Sequence, residues 1–283
     1  MSMTWWQAVI LGIIEGLTEY LPVSSTGHLL IAQQLMGLDG GPAANKAAAD
    51  AYAICIQAGA IVAVLGLYAR RVRQMTLGLA GRDADGRVLA TNILAGFMPA
   101  AIIGLLFNET IKAYLFGPWT VVAAWFAGGM AILIVDYLKR RGGNGERRGF
   151  DLEQLTWRAG LIIGFAQCIA MWPGVSRSLV TIVAGLLVGM NIVAAVEFSF
   201  LLGVVTLGAA TAYDALKHGD LIIEKYGYLS PLLGFVFAFI AAVIAVKWMV
   251  AYLQRHSLMV FGWYRIAIAA VVGVYLLTAT AGR

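Results

Sequence analysis

Residues 15–28 read EGLTEYLPVSSTGH and crowd Glu15, Glu19, Ser24, Ser25, Thr26 and His28 between the apolar runs ILGII and LLIAQQLMG. Glu15 and Glu19 are spaced i, i+4 and share one face of a helix. Two like charges that close, in a low-dielectric place, call for a proton or a cation between them. A hard divalent ion such as Mg²⁺ or Ca²⁺ takes carboxylate oxygens readily. The plainer alternative is one acid at the membrane interface and the other protonated or hydrogen-bonded. Ser24, Ser25 and Thr26 stand where a second helix begins, a position where a hydroxyl can serve as N-cap. His28 follows one turn later, on the side of Ser24 and Ser25. A hydroxyl and an imidazole within reach are the minimum for nucleophilic catalysis with a general acid or base.

A second constellation supplies the opposite charge. PGVSRS, residues 173–178, puts Arg177 with Ser176, Ser178 and Thr181 at the start of another short helix. An arginine at membrane depth needs an anionic partner. A structural salt bridge to Glu15 or Glu19 is one reading. The other is that two helix N-termini converge on a single anion, with free N–H groups and Arg177 binding it bidentately. A cation, an arginine and two helix N-termini together suit pyrophosphate.

The elements that must position these groups are membrane helices. The chain has 283 residues, 61% hydrophobic and only 12% charged, against about 25% charged in an ordinary soluble domain. The start, MSMTWWQAVILGIIEG, lacks a basic leader and reads as mature chain. Six segments have the ~20 apolar residues of a full span: 51–69, 88–107, 119–138, 195–213, 229–252 and 260–280. Residues 4–37 and 157–190 are too long for one span, and each is interrupted by LPVSSTG or WPGVSRS. Proline breaks the helix ladder and restricts the residue before it, so each stretch predicts two half-helices in a re-entrant hairpin. Such a break is tolerated where it is buried in protein or faces a wet cavity.

The expected fold is therefore an all-α polytopic membrane protein, a single membrane domain over 1–283 built as an inverted-topology repeat. Residues 1–141 form one half and 150–283 the other, each a hairpin plus three spans, with GGNGERRG at 142–149 as linker. Setting Ser24 over Ser176 places Glu15 against Gln167 and Glu19 against Met171. Of the twenty Lys and Arg residues, this topology puts Arg70, Arg71, Arg73, Arg82, Arg87, Lys139, Arg140, Arg141, Arg147, Arg148, Arg158 and Arg255 on one side. Lys46, Lys112, Lys217, Lys225 and Arg283 fall on the other, and Arg177, Lys247 and Arg265 within or near the membrane. The richer side is expected to be cytoplasmic, so both termini and the mouth of the first hairpin face outward.

Other signals are weaker. Gln57 and Glu197 are expected to support the site from neighbouring helices. Cys55 and Cys168 read as buried free thiols. Trp5, Trp6, Trp119, Trp125 and Trp263 read as an interfacial belt or lipid-facing positions, and the glycines of GGM at 128–130 and GLLVGM at 185–190 as close helix packing. No nucleotide fingerprint or zinc spacing occurs, and the net charge of +5 sets topology rather than nucleic-acid binding.

The runs EGLTEYLPVSSTGH and PGVSRS, with VEFSFLL at 196–202 and QAG at 57–59, closely resemble the signatures of the integral-membrane, bacitracin-resistance type of undecaprenyl-pyrophosphate phosphatase, over essentially the whole chain. The resemblance implies hydrolysis of undecaprenyl pyrophosphate to undecaprenyl phosphate on the outward face of the bacterial inner membrane, with a divalent cation. It carries the acidic pair onto Glu15 and Glu19, the first motif onto Ser24, Ser25, Thr26, Gly27 and His28, and the second onto Ser176, Arg177 and Thr181. The chain departs from the pattern at Leu179, where many relatives carry glycine, and at Gly203-Val204-Val205, where they often carry proline.

The reading is a metal-assisted lipid pyrophosphatase. Glu15 and Glu19 hold the cation, Arg177 with Ser176, Ser178 and Thr181 binds phosphate, and Ser24, Thr26, Gly27 and Gln57 complete the substrate site. Ser25 is the expected nucleophile with His28 as base or acid. A phosphohistidine at His28 and a metal-activated water stay open. The partners are a polyprenyl pyrophosphate and membrane lipid, not nucleic acid, and a homo-oligomer is left open. The competing class is a transporter or flippase of polyprenyl phosphate, since broken helices in inverted repeats are a usual transporter plan.

Overall fold

The computed structural model describes residues 3–38, 43–115, 117–141 and 149–281. The linker at 142–148, with Arg147, Arg148 and Arg283, lies outside the described residues, as do the side chains of Lys46, Lys112 and Lys139. Among the described residues eleven α-helices follow in order: α1 (Trp5–Thr18), α2 (Ser25–Leu35), α3 (Ala43–Leu67), α4 (Ala69–Leu79), α5 (Ala84–Leu115), α6 (Pro118–Arg141), α7 (Trp157–Gln167), α8 (Arg177–Leu187), α9 (Ile192–Tyr226), α10 (Leu229–Leu253) and α11 (Met259–Ala281). Stretches of α3, α5, α6, α9, α10 and α11 are long and apolar enough to cross a membrane. Helices α1, α2, α7 and α8 have 14, 11, 11 and 11 residues, about half of what a span needs.

The half-helices pair as two hairpins, α1 with α2 and α7 with α8. Pro22 and Pro173 fall in the breaks, where each disfavours helix at the residue before it. The outer ends then return to one place: Gln7 Nε2 near the start of α1 donates to the Met36 carbonyl beyond α2 at 3.4 Å. In the second hairpin, Phe150 N–H donates to Gly189 O at 3.0 Å and Asn191 N–H to Phe150 O at 3.1 Å. The inner ends meet across the molecule, where Ser178 Oγ donates to the Leu21 carbonyl at 2.8 Å.

Each hairpin packs against a helix distant in sequence: α1 lies along α10 and α7 along α5, while α3 meets α9 and α6 meets α11. Lipid tails are as apolar as leucine side chains, so close backbone approach holds such pairs. A Cβ on Gly12 of α1 would overlap the Gly234 carbonyl of α10, and one on Gly164 of α7 would overlap the Gly96 carbonyl of α5. Gly12 and Gly164 stand in the same relation as Ser24 and Ser176, 152 residues apart.

Three expectations change. The first span ends at Leu67, and the arginines after it form α4, a separate surface helix. Helix α9 runs unbroken for 35 residues, about 50 Å, through the Val204-Val205 stretch where proline would have kinked it. Trp125 is fully buried, not lipid-facing, and its indole N–H donates to the Val23 carbonyl at 3.0 Å. A wholly enclosed indole requires such an acceptor.

One face gathers the connections. Arg71 of α4 donates to Glu153 at 2.6 Å and to Glu197 at the start of α9 at 2.8 Å, and Arg140 reaches Ser257 between α10 and α11 at 3.3 Å. Glu197, expected beside the site, is thus held at this far end. The Arg71 hydrogen bond holds the Glu153 carboxyl below the usual carboxylate range. Between this face and the hairpin breaks lie Tyr68, Phe200 and Tyr20, edge to face, with ring centroids 5.9 and 5.2 Å apart.

Candidate functional site

The site is built where the two breaks turn into α2 and α8. Ser24 and Ser176 are the two non-glycine residues with positive φ among the described residues, at 73° and 74°. Each caps the helix it opens: Ser24 Oγ accepts from Gly27 N–H at 3.4 Å and Ser176 Oγ from Leu179 N–H at 3.3 Å. A left-handed serine costs of order 1–3 kcal/mol and persists only where its surroundings fix it. That cost is borne twice, at equivalent positions, to aim two helix N-termini inward.

On the first hairpin, Glu15 and Glu19 are both buried. Ser25 Oγ donates a short hydrogen bond to Glu19 Oε2. Glu15 sits against Glu19 and Gln57, and its Oε1 has no partner. Gln57 of α3 in turn accepts from the Thr211 hydroxyl at 3.2 Å. On the second hairpin, Arg177 Nη1 donates to the Ser199 carbonyl at 2.9 Å, and Nη2 stands 3.6 Å from Glu19 Oε1. Its Nε and Nη2 have no hydrogen-bond partner although they are buried. The guanidinium lies 5.5 Å from the Tyr20 ring centroid and fits because residue 203 is glycine, where a Cβ would overlap it.

Two cavities meet these groups. One of about 120 Å³ is shared by both hairpins and lined by Glu19, Ser24, Ser25, Thr26, Ser176 and Arg177, together with Gln57 and the Trp172–Gly174 turn. The second, about 520 Å³, reaches Glu15, Ser25, Thr26 and Gln57 and is walled by Leu29, Leu30, Ala53 and Ile54. It extends to Gly117 and Pro118, at the α5–α6 connection.

Not every expected residue faces these cavities. His28 Nδ1 is 2.7 Å from the Ser24 carbonyl and Nε2 is 2.7 Å from the Tyr264 hydroxyl, with its ring stacked on Tyr264. Both nitrogens are engaged away from Ser25, and Glu19 makes the contact to Ser25 expected of His28. Ser178 is turned to Leu21 and lies 3.0 Å from Ser176 Oγ. Thr181 donates to the Arg177 carbonyl at 2.9 Å and shares a 2.6 Å hydrogen bond with Ser199. Gly27 faces the Trp125 ring, where a Cβ would come 2.8 Å from Cζ2. These three hold the hairpins in shape behind the cavity. Arg265 of α11 has no expected role in the sequence. Its fully buried guanidinium donates to the backbone of both breaks, and nothing local in YRIAIAA signals that.

The residues fit a hard cation that shares its coordination with a ligand. Glu15 offers a free buried oxygen beside a second carboxylate, while no group of three or more His, Cys, Asp or Glu gathers among the described residues. Substrate oxygens or water would have to complete the shell.

The family model described as bacitracin resistance protein BacA matches residues 8–271. The chain is 43% identical to an undecaprenyl-diphosphatase of Sorangium cellulosum, covering 95% of this chain and 86% of the relative. It is 43% identical to undecaprenyl-diphosphatase 2 of Rhodospirillum rubrum over 94% and 93%, and 42% identical to an undecaprenyl-diphosphatase of Nitrosomonas europaea over 98% and 95%. With two buried carboxylates, a poised serine and an arginine with free donors at its centre, the chain belongs to the bacitracin resistance protein BacA family.

Proposed function

We propose that this protein hydrolyses undecaprenyl pyrophosphate to undecaprenyl phosphate and inorganic phosphate, returning the lipid carrier to cell-wall polymer synthesis and conferring bacitracin resistance. The observation that carries the reading is the buried Arg177 with two unpartnered donors facing the Ser25–Glu19 pair. A guanidinium left short of acceptors in a closed site is matched to an anion that arrives. The names of the relatives supply the substrate.

In this reading the terminal phosphate enters between the N-termini of α2 and α8. Arg177, Ser176 and the amides of the first turns bind its oxygens and offset charge developing in transfer. Ser25 Oγ attacks the terminal phosphorus as its proton passes to Glu19, and the bond to the bridging oxygen breaks to release undecaprenyl phosphate. Water then displaces the phosphoryl group from Ser25, giving up a proton, and phosphate leaves. Glu15, with Glu19 beside it, would hold Mg²⁺ or Ca²⁺, which supplies neutralisation of the pyrophosphate oxygens. His28 holds the first turn of α2 through Ser24 and Tyr264. The apolar walls of the larger cavity take the first prenyl units.

The two halves are read as inverted repeats, supported by the exchanged partnerships of α1 with α10 and α7 with α5. The site is read as opening to the outer side of the membrane, supported by a cavity that reaches the α5–α6 connection rather than the arginine-rich face.

The test is phosphate release from undecaprenyl pyrophosphate by detergent-purified protein. Release is expected, abolished by a chelator and restored by Mg²⁺ or Ca²⁺. No release by folded protein that still binds the lipid would overturn the hydrolase and favour carriage of the lipid across the membrane.

A further inference from the structure

Arg265 lies within α11, 0% exposed, and no carboxylate among the described residues pairs with it. Burying a cation at membrane depth without an acid is among the most costly things a helix can do. Its partners are three carbonyls. Nη1 donates to Pro22 O at 3.2 Å, and Nη2 donates to Ala124 O at 2.9 Å and to Gly174 O at 2.8 Å.

Pro22 and Gly174 are equivalent positions, each two residues ahead of the serine that caps α2 or α8. A single planar guanidinium therefore grips the same carbonyl in both breaks and fastens the pair to α6 through Ala124. The space for it is made by Gly128, whose Cβ would overlap the guanidinium. Only the fork of an arginine serves several carbonyls at once; a lysine ammonium is a point charge on a flexible stem.

We infer that Arg265 is a positioning residue for phosphoryl transfer: by gripping Pro22 and Gly174 it fixes the spacing of the two breaks, so that Ser25 and Arg177 address one phosphate. The inference rests on the hydrolase reading above. Transfer needs attacking oxygen, phosphorus and anion-binding group aligned closely, and a misplacement of about 1 Å can cost about 100-fold in rate.

The experiment measures phosphate release by purified wild type, Arg265→Lys, Gly128→Ala, Arg177→Lys and the double variant Arg265→Lys/Arg177→Lys, with elution profile and thermal melting as checks of folding. Arg265→Lys keeps the charge and loses the fork; Gly128→Ala displaces the fork from a neighbouring helix. Each is expected to lower kcat about 100-fold while KM moves less than about threefold. A merely structural arginine would reduce the active fraction by the same factor in any background. A positioning arginine acts through Arg177, so in the Arg177→Lys background Arg265→Lys is expected to cost less than about threefold more. Wild-type kcat in folded Arg265→Lys, full multiplication in the double variant, or failure of both Arg265→Lys and Gly128→Ala to fold would each overturn the inference. Silence of the wild type would instead bring down the hydrolase reading, and this inference with it.

Discussion

Ser24 and Ser176 share the same positive-φ backbone and cap their helices through the same bond, yet the hairpins they open carry opposite chemistry. Where the first has Glu15, Glu19 and Ser25, the second has Gln167, Met171 and Arg177. Gln167 is buried like Glu15 but neutral, and its Nε2 is unpartnered. A symmetric frame with two acidic hairpins would repel a phosphate, and one with two arginines would have nowhere to put a proton. The difference teaches that the frame serves to bring two N-termini together, while function comes from breaking the symmetry in side chains.

The comparison can be broken most severely at Glu19. Glu19→Gln replaces the carboxylate beside Ser25 with an amide that cannot take its proton, and is expected to lower kcat for phosphate release about 10³-fold without loss of folded protein. A variant with more than a tenth of wild-type kcat would remove Glu19 from the chemistry. Restoring symmetry is the next test. Gln167→Glu puts an acid at the place that mirrors Glu15, and a drop of about tenfold in kcat/KM is expected from one negative charge added to the second hairpin. Unchanged kcat/KM in folded protein would mean that the neutral residue there is incidental.

The caps sharpen the comparison from the structural side. Ser24→Ala and Ser176→Ala each lose a cap oxygen and keep the left-handed strain, so both should lower stability, by about 1–2 kcal/mol. Thermal melting in detergent reads this, and a large loss at one hairpin alone would show the frames to be unequal. The smallest effect lies outside the site. Arg71→Gln should leave phosphate release intact and lower the melting temperature slightly at pH 7. Because Arg71 depresses the Glu153 carboxyl, its contribution is present above the ordinary carboxylate value of about 4.3 and fades as pH falls through the lower folded value. Glu153 is largely exposed, so less than about 1 kcal/mol is involved. A melting difference that persisted below that range would mean that Arg71 acts through something other than ion pairing.

Much of this was legible in the sequence because lipid makes polar residues conspicuous. Glu15, Glu19, Ser25 and Arg177 stood out for that reason, and the prolines beside them marked the breaks. What escaped depended on distant partners. His28 reads as a neighbour of Ser25, but its ring is taken by Tyr264, 236 residues away. Ser178 and Thr181 look like phosphate ligands until Leu21 and Ser199 are placed beside them. Helix α4 is short, basic and continuous with a span, so its turn at Tyr68 leaves no mark in composition. Arg265 has the spacing of any basic residue near a helix end, and its worth comes from two breaks folded over it.

The exchange of partners between halves also sets a timetable. Helix α1 is synthesised well before α10, the helix it lies along, which is residues 229–253. At about 5–20 residues per second, roughly 10–40 s of synthesis separate the two. Throughout that interval a half-length helix bearing two glutamates sits in the bilayer or its insertion machinery without its permanent neighbour. A helix made early thus waits for a neighbour made late, and the buried acids of the first hairpin wait with it.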